Sequence, residues 1–267
     1  MNEIFIEKDP DAVATHAADT FIEMAYTAIT ERGRFSASLS GGSTPKRLYQ
    51  RLSSEQYRRA LDWTKAVFFI GDERNVPPDD EKSNLRMINE TLIRPLGVES
   101  PKIYGWPVGI GKPEEVAQRY ERELSAAFGT EQLSDVDRDE TGATRPDTQT
   151  RRTDIPAFDL FLLGLGTDCH TASLFPSTIA LEESGHLTAA NSVPQIDDVR
   201  FTLTFPVINA SRTILFLVTG EDKAVAVSDV IEGEFDPTNK PAQGVRPTNG
   251  RLIWVLDRPA ASSLRKL

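Results

Sequence analysis

His170 and Asp168 stand two residues apart in Gly164-Leu-Gly-Thr-Asp-Cys-His-Thr-Ala-Ser-Leu-Phe-Pro176, directly after the apolar run 158–163. A buried strand that empties into a loop with two glycines, a carboxylate and an imidazole is a natural place for chemistry. His170 is one of three histidines in 267 residues and stands in a polar, glycine-rich context. An imidazole exchanges its proton near neutral pH, so His170 is the first candidate for a general base. The bland alternative is a loop histidine that only donates a hydrogen bond. Two further motifs weigh against it.

The first is Ser40-Gly41-Gly42-Ser43-Thr44-Pro45, small residues and hydroxyls where a strand runs into a helix. Free amides at a helix N-terminus, the helix dipole and the lack of bulky side chains suit a phosphate. Ordinary helix capping by the hydroxyls is an equal reading of the same residues. The turn lacks the Gly-Lys-Ser/Thr ending of a Walker loop and is not a dinucleotide fingerprint. The second motif is Gly71-Asp72-Glu73-Arg74, which follows the apolar run 66–70. Three charges in a row are costly to bury and fit a polar cleft, where Arg74 can polarise a carbonyl or hold an anion through its planar fork. A surface turn held by an Arg–carboxylate pair is the alternative. Lys223 and Arg200 are further cations within reach of such a site, although each alone reads as a solvated charge.

The elements that must hold these groups alternate between strand and helix. Asp9-Pro10 reads as N-cap and first helical residue, with Val13, Ala17, Phe21, Met24 and Ala28 along one face and Gly33 as the stop. Residues 35–39 and 66–70 read as strands, and Pro45 opens a helix between them. Ser83 caps a helix carrying Leu85, Ile88 and Leu92 that Gly97 ends, and 113–128 is amphipathic. Strands follow at 158–163, near 201–205, at 213–218 and at 252–256, with a helix from about Glu221. This alternation predicts an α/β fold, a mostly parallel sheet with helices on both faces. Ligands bind beyond the carboxyl ends of such strands. The turns 41–44 and 71–74, the His170 loop and the turn 219–223 all follow strands, so four polar turns should converge on one edge.

The segment 129–156 is rich in Asp, Glu, Thr and Arg with few large apolar residues, and reads as a polar, mobile insertion in a single 1–267 domain. Hydrophobic residues make up 39% and charged residues 26%, as in an ordinary globular protein. The net charge of −10 argues against nucleic acid or an anionic membrane as partner. A single cysteine excludes an intrachain disulfide and fits a reducing, cytoplasmic setting. The first eleven residues do not resemble a secretion signal, and no window is long and apolar enough to span a bilayer. His16 and His186 read as surface residues and Trp254 as core.

With these motifs in order, the chain resembles the 6-phosphogluconolactonases, within the superfamily of glucosamine-6-phosphate deaminase. The matching segments are 38–45, 71–77 with Ser83-Asn84, and 164–176, followed by Arg200 with 202–210, 219–224 and 241–257. The resemblance spans nearly the whole chain apart from 129–156. It implies a Rossmann-like fold and hydrolysis of a sugar-phosphate lactone in the oxidative pentose phosphate pathway, without metal or organic cofactor. The expected partner is this small substrate, and the expected assembly a monomer or weak homodimer.

By motif position the resemblance makes His170 the general base, with Asp168 orienting it or touching the sugar and Arg74 beside the lactone. Ser43, Thr44, Arg200 and Lys223 become phosphate contacts; Gly41, Gly42, Asp72 and Glu73 complete the substrate-binding set. The sequence departs from the family where glycine gives way to Cys169 and Ser177. If the loop needs positive φ at 169, the cysteine costs about 1 kcal/mol or more. Cys169 as a nucleophile is disfavoured because neighbours in an extended loop point apart. A sugar-phosphate isomerase or deaminase, using Asp72 or Glu73 as proton shuttle, is the nearest rival; a non-catalytic sugar-phosphate sensor is another.

Overall fold

The computed structural model describes residues 2–97, 101–130 and 155–265, and most of the 129–156 segment lies outside them. The described residues form ten strands: β1 (Asn2–Glu7), β2 (Phe35–Leu39), β3 (Ala66–Ile70), β4 (Asp72–Arg74) and β5 (Lys102–Tyr104). They are followed by β6 (Leu160–Leu163), β7 (Thr188–Val193), β8 (Asp198–Leu203), β9 (Thr213–Val218) and β10 (Arg251–Asp257). Seven of them make one sheet in the order β1-β10-β9-β6-β2-β3-β5, with every pair parallel. The other three make a small antiparallel sheet, β4-β8-β7.

The central strands β2, β6 and β9 are buried along their whole length, as expected of strands covered on both faces. Phe68 and Phe69 show the two layers directly, because consecutive strand residues point to opposite faces. Phe68 meets Phe21 of the helix Pro10–Arg32 and Trp63 at ring-centroid distances of 6.1 and 6.4 Å. Phe69 stacks on Tyr104 at 4.7 Å and lies 5.5 Å from Phe128, the last residue of the helix Pro113–Phe128. Each aromatic pair of this kind adds about 0.5–1.5 kcal/mol beyond its area burial.

Helix punctuation follows the sequence closely. Asp9 accepts a hydrogen bond from the Ala12 amide at 2.8 Å, and Gly33 closes the same helix at φ 76°. Ser83 Oγ accepts from Arg86 N, and Gly97 ends that helical stretch at φ 62°. Between them, residues Asn89–Ile93 widen into a π-helical turn.

Three expectations are corrected. The helix expected from Pro45 begins at Ser43, because Gly42 at φ 104° turns the chain into it; Pro45, at the third helical position, gives up an N–H that has no partner in the helix. The strand near 201–205 is β8, which spans Asp198–Leu203 and joins the small sheet instead of the parallel one. The charged turn 71–74 is in part a strand, β4, held by antiparallel pairing to β8. The edge strands β1 and β5 and strand β7 complete the sheets without having been legible as strands.

Candidate active site

The chain runs from β2 to β3 on one side and reaches β6 and β9 on the other, so the strand order reverses beside β2. Beyond the carboxyl ends of these strands lies a cavity of about 380 Å³, the place where parallel sheets bind ligands. Segments 40–45, 164–166 and 217–219 line it, with Asp72, Arg74, Asn84, His170, Ala172, Asp222 and Lys223. The four polar turns therefore meet.

The imidazole of His170 is held from two sides. Its Nδ1 lies 2.5 Å from Asp168 Oδ1, and its ring stacks on Phe175 at 4.1 Å and 20°. Asp168 Oδ1 also accepts from the His170 backbone N–H at 3.2 Å. Burial pushes the Asp168 carboxyl up, but the hydrogen bond, charge and backbone N–H of His170 outweigh it and hold the group below the ordinary aspartate range. An ionised Asp168 keeps the proton on Nδ1 and leaves Nε2 as the basic nitrogen, the arrangement a general base needs. The tight loop is closed by Gly166 N donating to His170 O at 2.8 Å and Cys169 N donating to Gly166 O at 3.1 Å. A Cβ on Gly166 would collide with His170 Nδ1 and Asp168 Oδ1.

Cys169 does adopt positive φ, 64°, as do Ala172 at 48° and Ser177 at 57°. The two positions at which the resemblance leads one to expect glycine, 169 and 177, thus both take left-handed backbone. Cys169 is buried away from the cavity, with Sγ 3.9 Å from Ala226 O, and burial pushes its thiol up to about 11. A protonated thiol facing the core is no nucleophile.

At the second turn, no side chain caps the helix Ser43–Leu52. The hydroxyl of Thr44 instead meets Thr219 Oγ1 at 2.8 Å, tying this turn to the one after β9. The choice between capping and anion cradle therefore tips toward a cradle: uncapped amides and the dipole face the cavity. Ser40 Oγ, at the cavity wall, is buried without a hydrogen-bond partner.

Because β4 is a strand, its three charges alternate. Asp72 and Arg74 line the cavity, whereas Glu73 lies outside its lining. Ser173 Oγ donates to Asp72 Oδ2 at 2.8 Å, and Asn84 Nδ2 donates to the Asp72 carbonyl at 2.8 Å. Arg74 donates to the carbonyl of Lys82. Glu73 is 2% exposed and accepts from the amides of Arg74, Asn84 and Leu85 at 2.8–2.9 Å. Burial pushes its carboxyl up against the pull of those three donors. It ties β4 to the helix Asn84–Ile88 and is not brought into the cavity lining with Asp72 and Arg74.

Lys223 ends the turn after β9 and lines the cavity, with Nζ 3.5 Å from Asp222 Oδ2. Gly220 at φ 103° shapes that turn, and its N–H donates to both oxygens of buried Asp257 at 3.0 and 3.1 Å. Arg200 is not brought into the lining. It lies opposite Arg74 on β8, and its guanidinium pairs with Asp198. Sequence reasoning assigned no role to Ser40, Asn84, Ser173, Phe175 or Asp222. Their only signal was membership of the matching segments. Among the described residues no three His, Cys, Asp or Glu side chains gather as a metal-binding group.

Fold and cavity together define a parallel α/β protein whose polar ligand site presents an Asp–His pair, two cations and an uncapped helix N-terminus. A family model described as glucosamine-6-phosphate isomerases/6-phosphogluconolactonase matches residues 8–254, and the chain belongs to that family. It is 40% identical to a 6-phosphogluconolactonase of Synechocystis sp. over 239 residues, 89% of this chain and 88% of the relative. It is 35% identical to a probable 6-phosphogluconolactonase of Oryza sativa subsp. indica, covering 98% and 90%. Among solved structures it resembles the 6-phosphogluconolactonase from Trypanosoma cruzi, with a TM-score of 0.81, 26% identity, and coverage of 99% and 97%. No helix of the described residues is long and apolar enough to cross a membrane.

Proposed function

We propose that this protein hydrolyses 6-phospho-D-glucono-1,5-lactone to 6-phospho-D-gluconate, the lactone-opening step of the oxidative pentose phosphate pathway, in the cytoplasm. The observation that carries the reading is His170, held by Asp168 behind it, opening on the same cavity as the uncapped helix Ser43–Leu52, Arg74 and Lys223. The names of the relatives supply the substrate.

In this reading the phosphate rests on the amides at Ser43 and Thr44, with Lys223 as its cation. Asp72, fixed by Ser173, accepts a sugar hydroxyl. His170 Nε2 takes a proton from water as the water oxygen bonds to C1, and the carbonyl oxygen becomes an oxyanion facing Arg74. Collapse breaks the bond between C1 and the ring oxygen, which takes the proton back from His170. General-base help of about 10²–10⁴, with positioning and one charge contact on the oxyanion, suffices for an ester as activated as a lactone.

The test is turnover of freshly generated lactone, coupled to phosphogluconate dehydrogenase and corrected for spontaneous opening. Wild type should exceed background, and a folded His170→Ala variant should lose about 10²–10⁴ of that excess. A wild-type rate equal to background rejects the reading, and ammonia release from glucosamine 6-phosphate would replace it with the deaminase.

A further inference from the structure

Segment 173–178 continues the catalytic loop beyond His170 and is held by one face of the small sheet. Asp72 of β4 stands opposite Thr202 of β8, Thr202 stands opposite Ala189 of β7, and Asn191 follows two residues on. Successive strand residues alternate between faces, so Asp72, Thr202 and Asn191 share one face. Each grips Ser173 at a different atom. Ser173 Oγ donates to Asp72 Oδ2 at 2.8 Å, its N–H donates to Thr202 Oγ1 at 3.3 Å, and its carbonyl accepts from Asn191 Nδ2 at 2.9 Å. One residue from every strand of the small sheet thus holds the loop three residues after His170.

Asn191 reaches further than the other two. It is fully buried, lies outside the cavity lining, and makes a second bond from Nδ2 to Thr178 Oγ1 at 3.0 Å. Thr178 in turn donates from Oγ1 and from its N–H to the Phe175 carbonyl, at 2.8 and 3.3 Å. Phe175 is the residue whose ring backs the His170 imidazole at 4.1 Å. A carbonyl oxygen only accepts, so the contact with Ser173 O fixes which end of the amide faces the loop. The two hydrogens of one amide group therefore serve two parts of the site. One line runs through Ser173 to Asp72, the other through Thr178 and Phe175 to His170.

We propose that Asn191 is a positioning residue of the catalytic site: it sets segment 173–178 so that Asp72 and the His170 imidazole keep their places in the cavity together. The proposal rests on the lactonase reading above and deepens it. Asn191 touches no substrate and acts only through Ser173, Thr178 and Phe175. The small sheet is then the platform that aligns the sugar-binding carboxylate with the base.

The test compares two variants of the full-length protein. Asn191→Leu is similar in shape but has no donors; Thr178→Val keeps the Asn191–Ser173 bond and removes the hydroxyl that reaches Phe175. Protons above a ring face resonate upfield, so the ring protons of His170, assigned by their absence in His170→Ala, report whether Phe175 still backs the imidazole. Phe175→Leu gives their unstacked position, and both variants should move them toward it. Unchanged resonances in Asn191→Leu, or in Thr178→Val if the first does not fold, overturn the proposal. In turnover, Asn191→Leu should lose about 10²-fold in kcat and raise KM, because Asp72 loosens with Ser173, whereas Thr178→Val should lower kcat alone. Adding Phe175→Leu to Asn191→Leu should lower kcat little further, since both act on the same contact. Fully additive losses, or a KM rise with kcat unchanged, overturn the proposal. A wild-type rate equal to background would reject the lactonase reading alone, and the His170 resonances would still decide the role of Asn191.

Discussion

Asp168 acts on His170 through one short contact, and this makes its behaviour with pH specific. Its folded carboxyl lies below the ordinary value, against the rise that burial causes, because the His170 hydrogen bond and charge outweigh it. Such a group adds stability that is fully present above its unfolded value, about 3.9, and lost as pH falls through the lowered folded value. Urea unfolding of wild type and Asp168→Asn should therefore differ above pH of about 4, and the gap should close as pH falls below it. Activity separates the two proteins more sharply. An asparagine cannot hold the Nδ1 proton as a carboxylate does, so kcat should drop by about 10²–10⁴ with KM little changed. Equal kcat values would mean that His170 needs no orienting partner.

Two short elements set the geometry of the site. The loop 166–170 brings imidazole and carboxylate so close that the Gly166 position has no room for a methyl group. Gly166→Ala should leave the circular dichroism spectrum intact and lower kcat by about 10²-fold, the scale of a misplacement near 1 Å. Strand β4 is the other. Its alternation sends Asp72 and Arg74 to the cavity and Glu73 into a nest of amides from Arg74, Asn84 and Leu85. Glu73→Gln removes one acceptor oxygen and leaves buried N–H groups unpaired, for a cost of about 1–3 kcal/mol. Thermal unfolding should show that loss. An unchanged melting temperature would contradict the role of Glu73 as the tie between β4 and the helix Asn84–Ile88.

Across the whole molecule, stability and function occupy opposite ends of the strands. Asp159 is buried just before β6, away from the cavity edge, and accepts from Ser36 N at 2.8 Å and Ser36 Oγ at 2.9 Å. Arg32 and Arg212 approach the same carboxylate at 3.1 and 3.5 Å. This cluster fastens β2 to β6, the two strands that flank the reversal in strand order. Asp159→Ala removes the acceptor and strands the buried Ser36 N–H, while the two arginines remain solvated, so unfolding free energy should fall by about 1–3 kcal/mol. Turnover per folded molecule should stay near wild type, because no catalytic side chain leans on it. A large loss of turnover with unchanged stability would reverse this division.

The sequence by itself determined the parallel α/β class, the helix starts at Asp9 and Ser83, the stops at Gly33 and Gly97, and the convergence of four turns. Each is a local matter: period, cap chemistry, or a glycine where φ turns positive. It also marked Cys169 as a residue in a glycine's place, and φ there is indeed positive. Tertiary structure decided which charges face the ligand. Glu73 and Asp72 are neighbours in the chain, yet pairing of β4 with β8 puts only Asp72 in the lining. Arg200 resembles Lys223 as a free cation in sequence, and each meets an aspartate in the structure, but only Lys223 reaches the cavity lining. Strands β1 and β5 owe their existence to the sheet edges they pair with, which no local pattern encodes. Local chemistry says what a residue can do; only the packed sheet says which way it points and what it meets there.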